Sequence, residues 1–266
     1  MKQFDFKKSL GQNFLHDQNV IHKIVDSADI DRDSLVIEVG PGGGALTNFI
    51  VPLCGQALLY EADRRLESSL HQLLHQYSNY EVILGDFLKA DLSNDLKKYF
   101  YDKLCVVANL PYYITTPIIM KFIDENIFPD QMVIMVQKEV AYRLSAKVGT
   151  KDYGSLTVFF NYYYDIQKLF DVSRNCFTPK PNVDSAVIRM NLKKERLKVH
   201  NMDLFKRLVR DCFLYKRKTL RNNLKGYNLE IVASVLSKYG LDLNVRAENL
   251  KLEVFVAIAN ELASDS

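Results

Sequence analysis

Four consecutive residues, Asn109-Leu110-Pro111-Tyr112, combine hydrogen-bond acceptors with an aromatic face. The exocyclic amine of a nucleobase is a poor nucleophile, because its lone pair is delocalised into the ring. Acceptors that bind its hydrogens favour a pyramidal nitrogen, and the Asn109 amide oxygen and the Leu110 backbone carbonyl can supply two of them. Pro111 fixes the turn, while Tyr112 offers a face on which a base can stack. No strong general base is required, since a methylated amine carrying positive charge loses its proton readily. This pattern predicts methyl transfer to a base amine, with the site supplying orientation and the donor the driving force.

A site for the donor is written earlier in the chain. In Glu38-Val39-Gly40-Pro41-Gly42-Gly43-Gly44-Ala45 the glycines let the backbone approach a ligand and expose amides at the start of a helix. Taken alone this loop does not separate nicotinamide cofactors from S-adenosyl-L-methionine, because Gly40, Gly42 and Ala45 also satisfy a loose dinucleotide fingerprint. Glu61 follows Gly40 by 21 residues and can accept both ribose hydroxyls of an adenosine. Asp86 can take a hydrogen bond from the adenine amino group. For either carboxylate the alternative role is a helix cap.

These residues need a scaffold that brings them to one edge. The apolar runs 35–39, 57–61, 81–84, 104–108 and 132–136 are continuous rather than alternating, as in strands buried on both faces. Amphipathic helical stretches lie between them, with Leu66, Leu70, Leu73 and Leu74 in one and Ile118, Ile119, Phe122 and Ile123 in another. Strand and helix in turn predict an α/β fold with a doubly wound, mostly parallel sheet. Residues 165–170 and 185–192 read as two further strands flanking the Pro-containing loop 176–183, forming an antiparallel hairpin at the sheet edge. The aromatic cluster Phe159, Phe160, Tyr162, Tyr163 and Tyr164 reads as core packing. From Met202 onward the pattern is purely helical. The expected division is residues 1–198 as the cofactor-binding catalytic domain and 199–266 as a smaller all-helical domain, with the boundary near 195–201.

Charge divides the chain in the same place. Residues 189–225 hold 13 Lys or Arg against 3 acidic residues, while the rest holds 22 against 29, giving +10 in one stretch and −7 elsewhere. Arg207, Arg210, Lys216, Arg217, Lys218 and Arg221 lie in helical sequence opposite Leu204, Leu208, Phe213 and Leu220. The expectation is a cationic stripe that holds RNA phosphates; the alternative is a solvated helix face. The apolar runs are about five residues long, far short of the roughly 18 to 20 that span a bilayer, and the first residues have no apolar signal core. A soluble, cytoplasmic protein with no membrane partner is expected. Cys54, Cys105, Cys176 and Cys212 are scattered and read as reduced thiols, and neither they nor the five His have metal-ligand spacing.

In these motifs the sequence resembles the ribosomal RNA adenine dimethyltransferases, most closely their small-subunit (16S) branch. Residues 9–15, Ser-Leu-Gly-Gln-Asn-Phe-Leu, match the opening motif, and 38–44 the glycine loop. Residues 109–112 with 114–117 match the catalytic motif, and 177–185, from Phe177 through Pro179 and Pro181 to Ser185, the target loop. Four motifs in order cover nearly the whole chain. The resemblance implies a Rossmann-like class I methyltransferase whose Asn13, Leu15, Gly40, Glu61, Asp86 and Asn109 contact S-adenosyl-L-methionine. It implies that Tyr112 and Phe177 stack on either face of the target adenine. Position 113 is Tyr where many members have Asn, and position 116 is Thr where Ser is usual. Independently, Phe177 before two prolines could form a rigid aromatic wall opposite Tyr112, or could be a core residue that anchors the loop.

The implied reaction is dimethylation of two adjacent adenosines near the 3′ end of 16S rRNA, within an assembling small subunit, by a monomer. A large-subunit (23S) methyltransferase of the macrolide-resistance type shares the cofactor and target-loop motifs. Lys216-Arg217-Lys218-Thr219-Leu220-Arg221, similar to the small-subunit branch's basic helix, stands against it. A non-catalytic RNA-binding or transcription factor on the same scaffold is opposed by intact Asn109, Glu61 and Asp86. A nicotinamide dehydrogenase is opposed by the lack of an evident hydride-transfer acid or base.

Overall fold

The computed structural model describes residues 13–265; Ser9 to Gln12 of the opening motif lie outside the described residues. The chain forms two compact units. One comprises the residues up to Ala141 with Gln167–Leu192, the other Tyr142–Ile166 with Lys193 onward.

The first unit is organised by strands whose residues are apolar on both faces. All six residues of β2 (Ser34–Val39) are buried, and β3 (Gln56–Glu61) and β5 (Lys103–Asn109) are nearly so. β2 runs parallel to both of these, with Val36 beside Ala57 on one side and Cys105 on the other. β4 (Tyr80–Leu84) joins β3 in parallel, and β6 (Gln131–Gln137) joins β5 in parallel. β9 (Ser185–Leu192) lies antiparallel to β6, with Ser185 opposite Gln137 and Asn191 opposite Gln131. With β7 (Tyr164–Val172) at the edge, the order is β4-β3-β2-β5-β6-β9-β7. The order reverses between β2 and β5, where the carboxyl ends of parallel strands leave a crevice. A separate antiparallel pair joins β1 (Phe14–Leu15) to β8 (Phe177–Thr178).

Helices cover this sheet by burying one stripe each. α1 (Gln18–Asp26) begins at Asp17, whose carboxylate accepts from the Asn19 and Val20 amides, and buries Ile21, Ile24 and Val25. α2 (Thr47–Ile50), α3 (Glu67–Leu73) and α4 (Leu92–Leu96) are short. α5 (Thr115–Asp124) buries the expected Ile118, Ile119, Phe122 and Ile123. α6 (Lys138–Leu144) follows β6 directly.

The helical unit starts earlier in sequence than expected. α7 (Ser155–Tyr163), read as part of the catalytic domain, belongs with α8 (Met202–Cys212), α9 (Leu220–Asn223), α10 (Leu229–Lys238) and α11 (Leu252–Ser264). The reason is the aromatic cluster. The Tyr162 ring lies 5.4 Å from that of Phe205, and the Tyr162 hydroxyl donates to the Leu197 carbonyl at 2.9 Å. These buried rings find their partners on α8, so a discontinuous unit replaces a single cut near 195–201.

A second difference concerns the basic segment, which is not one continuous helix. α8 stops at Cys212, and the Asn223 side chain donates to the Cys212 carbonyl at 2.7 Å, satisfying a helix end that would otherwise require another turn. Lys216, Arg217 and Lys218 therefore stand in a turn between α8 and α9.

Candidate active site

Four parallel strands end on the same edge, each delivering one element of a cavity of about 300 Å3. After β2 the chain turns through Gly40 and Gly42 with φ of 74° and 58°, backbone that side chains rarely adopt. A Cβ on Gly42 would stand 2.8 Å from the Phe14 ring, so this position has no room for a larger residue. After β3, Glu61 is buried and accepts from the Gly42 amide at 2.9 Å and the Asp63 amide at 2.8 Å. Burial pushes its carboxyl above the usual range. Backbone amides of Gly42, Ala62 and Asp63 take part of its acceptor capacity, and the carboxylate lines the cavity.

After β4, Asp86 is exposed and accepts from the Leu88 amide at 3.0 Å, capping a single tight turn over Phe87–Lys89. The capping role and a place at the cavity thus coexist in one carboxylate. Lys121, on α5, steadies this turn by donating to the carbonyls of Leu88 at 3.3 Å and Ala90 at 2.7 Å.

After β5 comes Asn109, whose side-chain nitrogen donates to the Asn13 carbonyl at 3.2 Å. Leu110 donates its amide to Met135 of β6 at 3.1 Å. The Pro111 ring lies 3.8 Å from where a Gly40 Cβ would stand, so the glycine loop and this turn are in contact. The Tyr112 hydroxyl meets the buried Ser185 hydroxyl at 2.5 Å. Burial raises the phenol's pKa, so the ring stands neutral.

Asn13, Leu15, Gly40, Gly42, Glu61, Asp86 and Asn109 all line this cavity, as do Leu110, Pro111 and Tyr112. Phe177 is not brought there. It is 3% exposed, pairs across β1–β8 with Leu15 and sits in the hydrophobic core. Of the two roles read for it, this structure shows the anchor rather than the aromatic wall, because flanking Leu15 and the core give its ring an apolar seat.

Residues of the quoted motifs to which the sequence reading gave no role also line the cavity: Phe14, Tyr113 and Glu38. Glu38 is buried, accepts from the Thr47 hydroxyl at 2.7 Å, and has its carboxyl pushed up to about 8 by burial and by the neighbouring Glu61. Its signal was available as the one charge inside the apolar run 35–39.

In the helical unit, Arg207, Arg210, Lys216, Arg217, Lys218 and Arg221 are all exposed. At least three have partners within the unit: Arg207 bonds the Tyr227 side chain, Arg210 pairs with Asp211 at 3.3 Å, and Lys216 donates to the Lys151 carbonyl. Among the described residues no helix is long and apolar enough to cross a membrane.

The strand order, the antiparallel β9 and the glycine loop followed by carboxylates at successive strand ends define a Rossmann-like class I methyltransferase. Residues 3–264 match the family described as ribosomal RNA adenine dimethylase. The protein named ribosomal RNA small subunit methyltransferase A in Alkaliphilus metalliredigens is 45% identical, over 98% of this chain and 93% of that protein. Its namesake in Bacillus mycoides is 44% identical, over 97% and 92%. Among solved structures, a dimethyladenosine transferase from Plasmodium falciparum superposes with a TM-score of 0.80 at 28% identity, covering 94% of this chain and 98% of that one. The 23S rRNA methyltransferase ErmE superposes with 0.76 at 26% identity, covering 94% and 100%. The chain belongs to the ribosomal RNA adenine dimethylase family, and its cofactor is S-adenosyl-L-methionine. The residues present fit that cofactor: a glycine turn with positive φ at Gly40 and Gly42 and no room for a Cβ at Gly42, and a buried carboxylate fixed by backbone amides.

Proposed function

We propose that this chain dimethylates the exocyclic amines of two adjacent adenosines near the 3′ end of 16S rRNA, acting as a cytoplasmic monomer on an assembling small subunit. The observation that carries the reading is the fixed amide of Asn109 at the end of β5, in the same cavity as Glu61 and the glycine loop. Because the amide nitrogen is committed to Asn13, its oxygen is the acceptor offered to an incoming amine. The Leu110 carbonyl is the second acceptor, and Tyr112 holds the base by its face while its hydroxyl is tied to Ser185. Two acceptors fix both amine hydrogens and leave the lone pair directed away from them. The cofactor's sulfonium supplies an activated methyl group. Glu61 takes the ribose hydroxyls and Asp86 the adenine amino group of the cofactor. Arg217, Lys218 and Arg221 hold RNA phosphates, with Arg207, Arg210 and Lys216 extending the cationic surface.

The small-subunit target is favoured over a large-subunit one by relatives at 44% and 45% identity named for the small subunit, against 26% for the 23S enzyme. The test is transfer of labelled methyl to small-subunit particles lacking the modification and, in parallel, to large-subunit rRNA, with mass spectrometry of the nucleoside product. Dimethyladenosine in the small-subunit RNA is expected. Label confined to the large-subunit RNA, or none at all, rejects the proposal.

A further inference from the structure

The turn between α8 and α9 exposes two large apolar side chains: Leu214 is 61% and Tyr215 59% exposed, more than any other large apolar side chain described in the helical unit. Surface turns are ordinarily built from Gly, Pro, Asn, Asp and Ser, so a Leu-Tyr pair here is unusual for its place.

The backbone beneath Tyr215 is held on both sides. Asn223 accepts the Tyr215 amide at 3.1 Å and donates to the Tyr215 carbonyl at 3.3 Å, using the same side chain that closes α8. The Lys218 amide donates to the Tyr215 carbonyl at 2.8 Å, and the Leu214 amide to Asp211 at 3.1 Å. Phe213 faces the other way, its ring 5.9 Å from Phe255 and 6.0 Å from Tyr153. One aromatic thus pins the turn inside the unit while the next but one is carried on a fixed backbone into solvent. The Tyr215 side chain stays 59% exposed, outside the buried core of the unit.

The neighbours say what the ring would meet. Lys216, Arg217 and Lys218 follow directly, Arg221 is the second residue of α9, and this stretch is the cationic part of an otherwise acidic chain. A rigid aromatic face flanked by cations matches an unpaired nucleotide, whose base stacks while its phosphates are neutralised. Pre-fixing the backbone removes ordering cost from that encounter.

We propose that Tyr215 is a base-stacking platform for one unpaired nucleotide of the rRNA substrate, with Arg217 and Lys218 on the adjoining phosphates. The inference rests on the reading of this turn as an RNA-binding surface. It adds a base contact, where that reading supplies only phosphate contacts.

The chain contains no Trp, so Tyr215→Trp installs a single indole reporter at this position. Titrated with small ribosomal subunits lacking the modification, its emission should be quenched on binding. Tyr215→Ala should weaken binding about 5- to 100-fold without changing the salt slope, and Tyr215→Phe should bind within about twofold of the parent. In parallel, replacing Arg217, Lys218 and Arg221 together by Gln should flatten the salt slope by about two units. An unquenched indole, or parental affinity in Tyr215→Ala while the triple variant loses its slope, overturns the platform and leaves the phosphate surface standing. A triple variant with parental slope and affinity removes the surface and the platform together.

Discussion

The side-chain nitrogen of Asn109 donates to the backbone carbonyl of Asn13, a residue 96 positions away, at 3.2 Å. This bond settles which end of the amide faces the cavity and ties the described start of the chain to the end of β5. Asn109→Ala removes the acceptor and should lower kcat by about 100- to 1000-fold, the usual loss for one site hydrogen bond made to the reacting group. RNA affinity should stay within about twofold. Single-turnover methylation with separately measured RNA binding checks this; a drop in binding equal to the drop in rate would assign Asn109 to substrate capture instead.

Glu61 bonds two backbone amides of the site as well as facing the cavity. Its replacement by Ala should therefore raise the KM for S-adenosyl-L-methionine and also loosen the Gly42 turn. Saturating cofactor should restore most of kcat, since ribose contacts stabilise ground and transition states alike. Initial rates across a cofactor titration decide the matter, and a kcat at saturation as low as that of Asn109→Ala would contradict it.

Glu38 supplies a pH dependence. Its carboxyl titrates near 8 in the folded protein because it is buried, but in the ordinary carboxyl range once unfolded. Between those two values the native state holds a proton that the unfolded state has released, so stability falls as pH rises, with a limiting slope of about 1.4 kcal/mol per pH unit. Glu38→Gln stays neutral and should flatten this fall between about pH 5 and about pH 7.5, leaving a residue of the same sign from Glu61. Urea unfolding at several pH values measures it, and equal slopes in parent and variant would show that Glu38 is ionised when folded.

Phe177 should behave as a core residue. Phe177→Ala should reduce unfolding free energy by about 3 to 5 kcal/mol, the usual cost of deleting a buried ring. Chemical denaturation followed by far-UV circular dichroism gives the number. A loss of activity with parental stability would instead point to a ring that works on the substrate.

Tyr112→Phe keeps the stacking face and loses the 2.5 Å bond to Ser185. It should lower kcat/KM by less than about tenfold, whereas Tyr112→Ala should cost about 5- to 100-fold through lost stacking and leave the Ser185 hydroxyl buried without this partner. Ser185→Ala should match Tyr112→Phe, and a much larger effect would give Ser185 a function apart from holding the ring.

The sheet and the cavity were legible in the sequence for a common reason: each rests on local pattern. Continuous apolar runs gave β2, β3, β4, β5 and β6, and Gly40, Gly42, Glu61, Asp86 and Asn109 each fall at or just after the end of one such run. What was not legible depends on partners distant in the chain. The seat of Phe177 is set by its pairing with Leu15, and the membership of α7 by rings on α8. The break after Cys212 was hidden because helical periodicity continues across it; the residue that closes the helix, Asn223, stands eleven positions later. The Asn13 carbonyl had no signal at all, because a backbone acceptor carries no side-chain signature.

The two-residue ladder between β1 and β8 has a thermodynamic consequence. Leu15 lines the donor cavity, and Phe177 opens the loop expected to receive the acceptor base. A ligand that ordered or displaced one of these strands would act on the other through this ladder. Any coupling carried this way between occupancy of the cavity and engagement of the loop would have a single constant, the same whichever ligand arrives first. A defect in this ladder would therefore appear as a loss of cooperativity between two substrates, each of which alone could still bind.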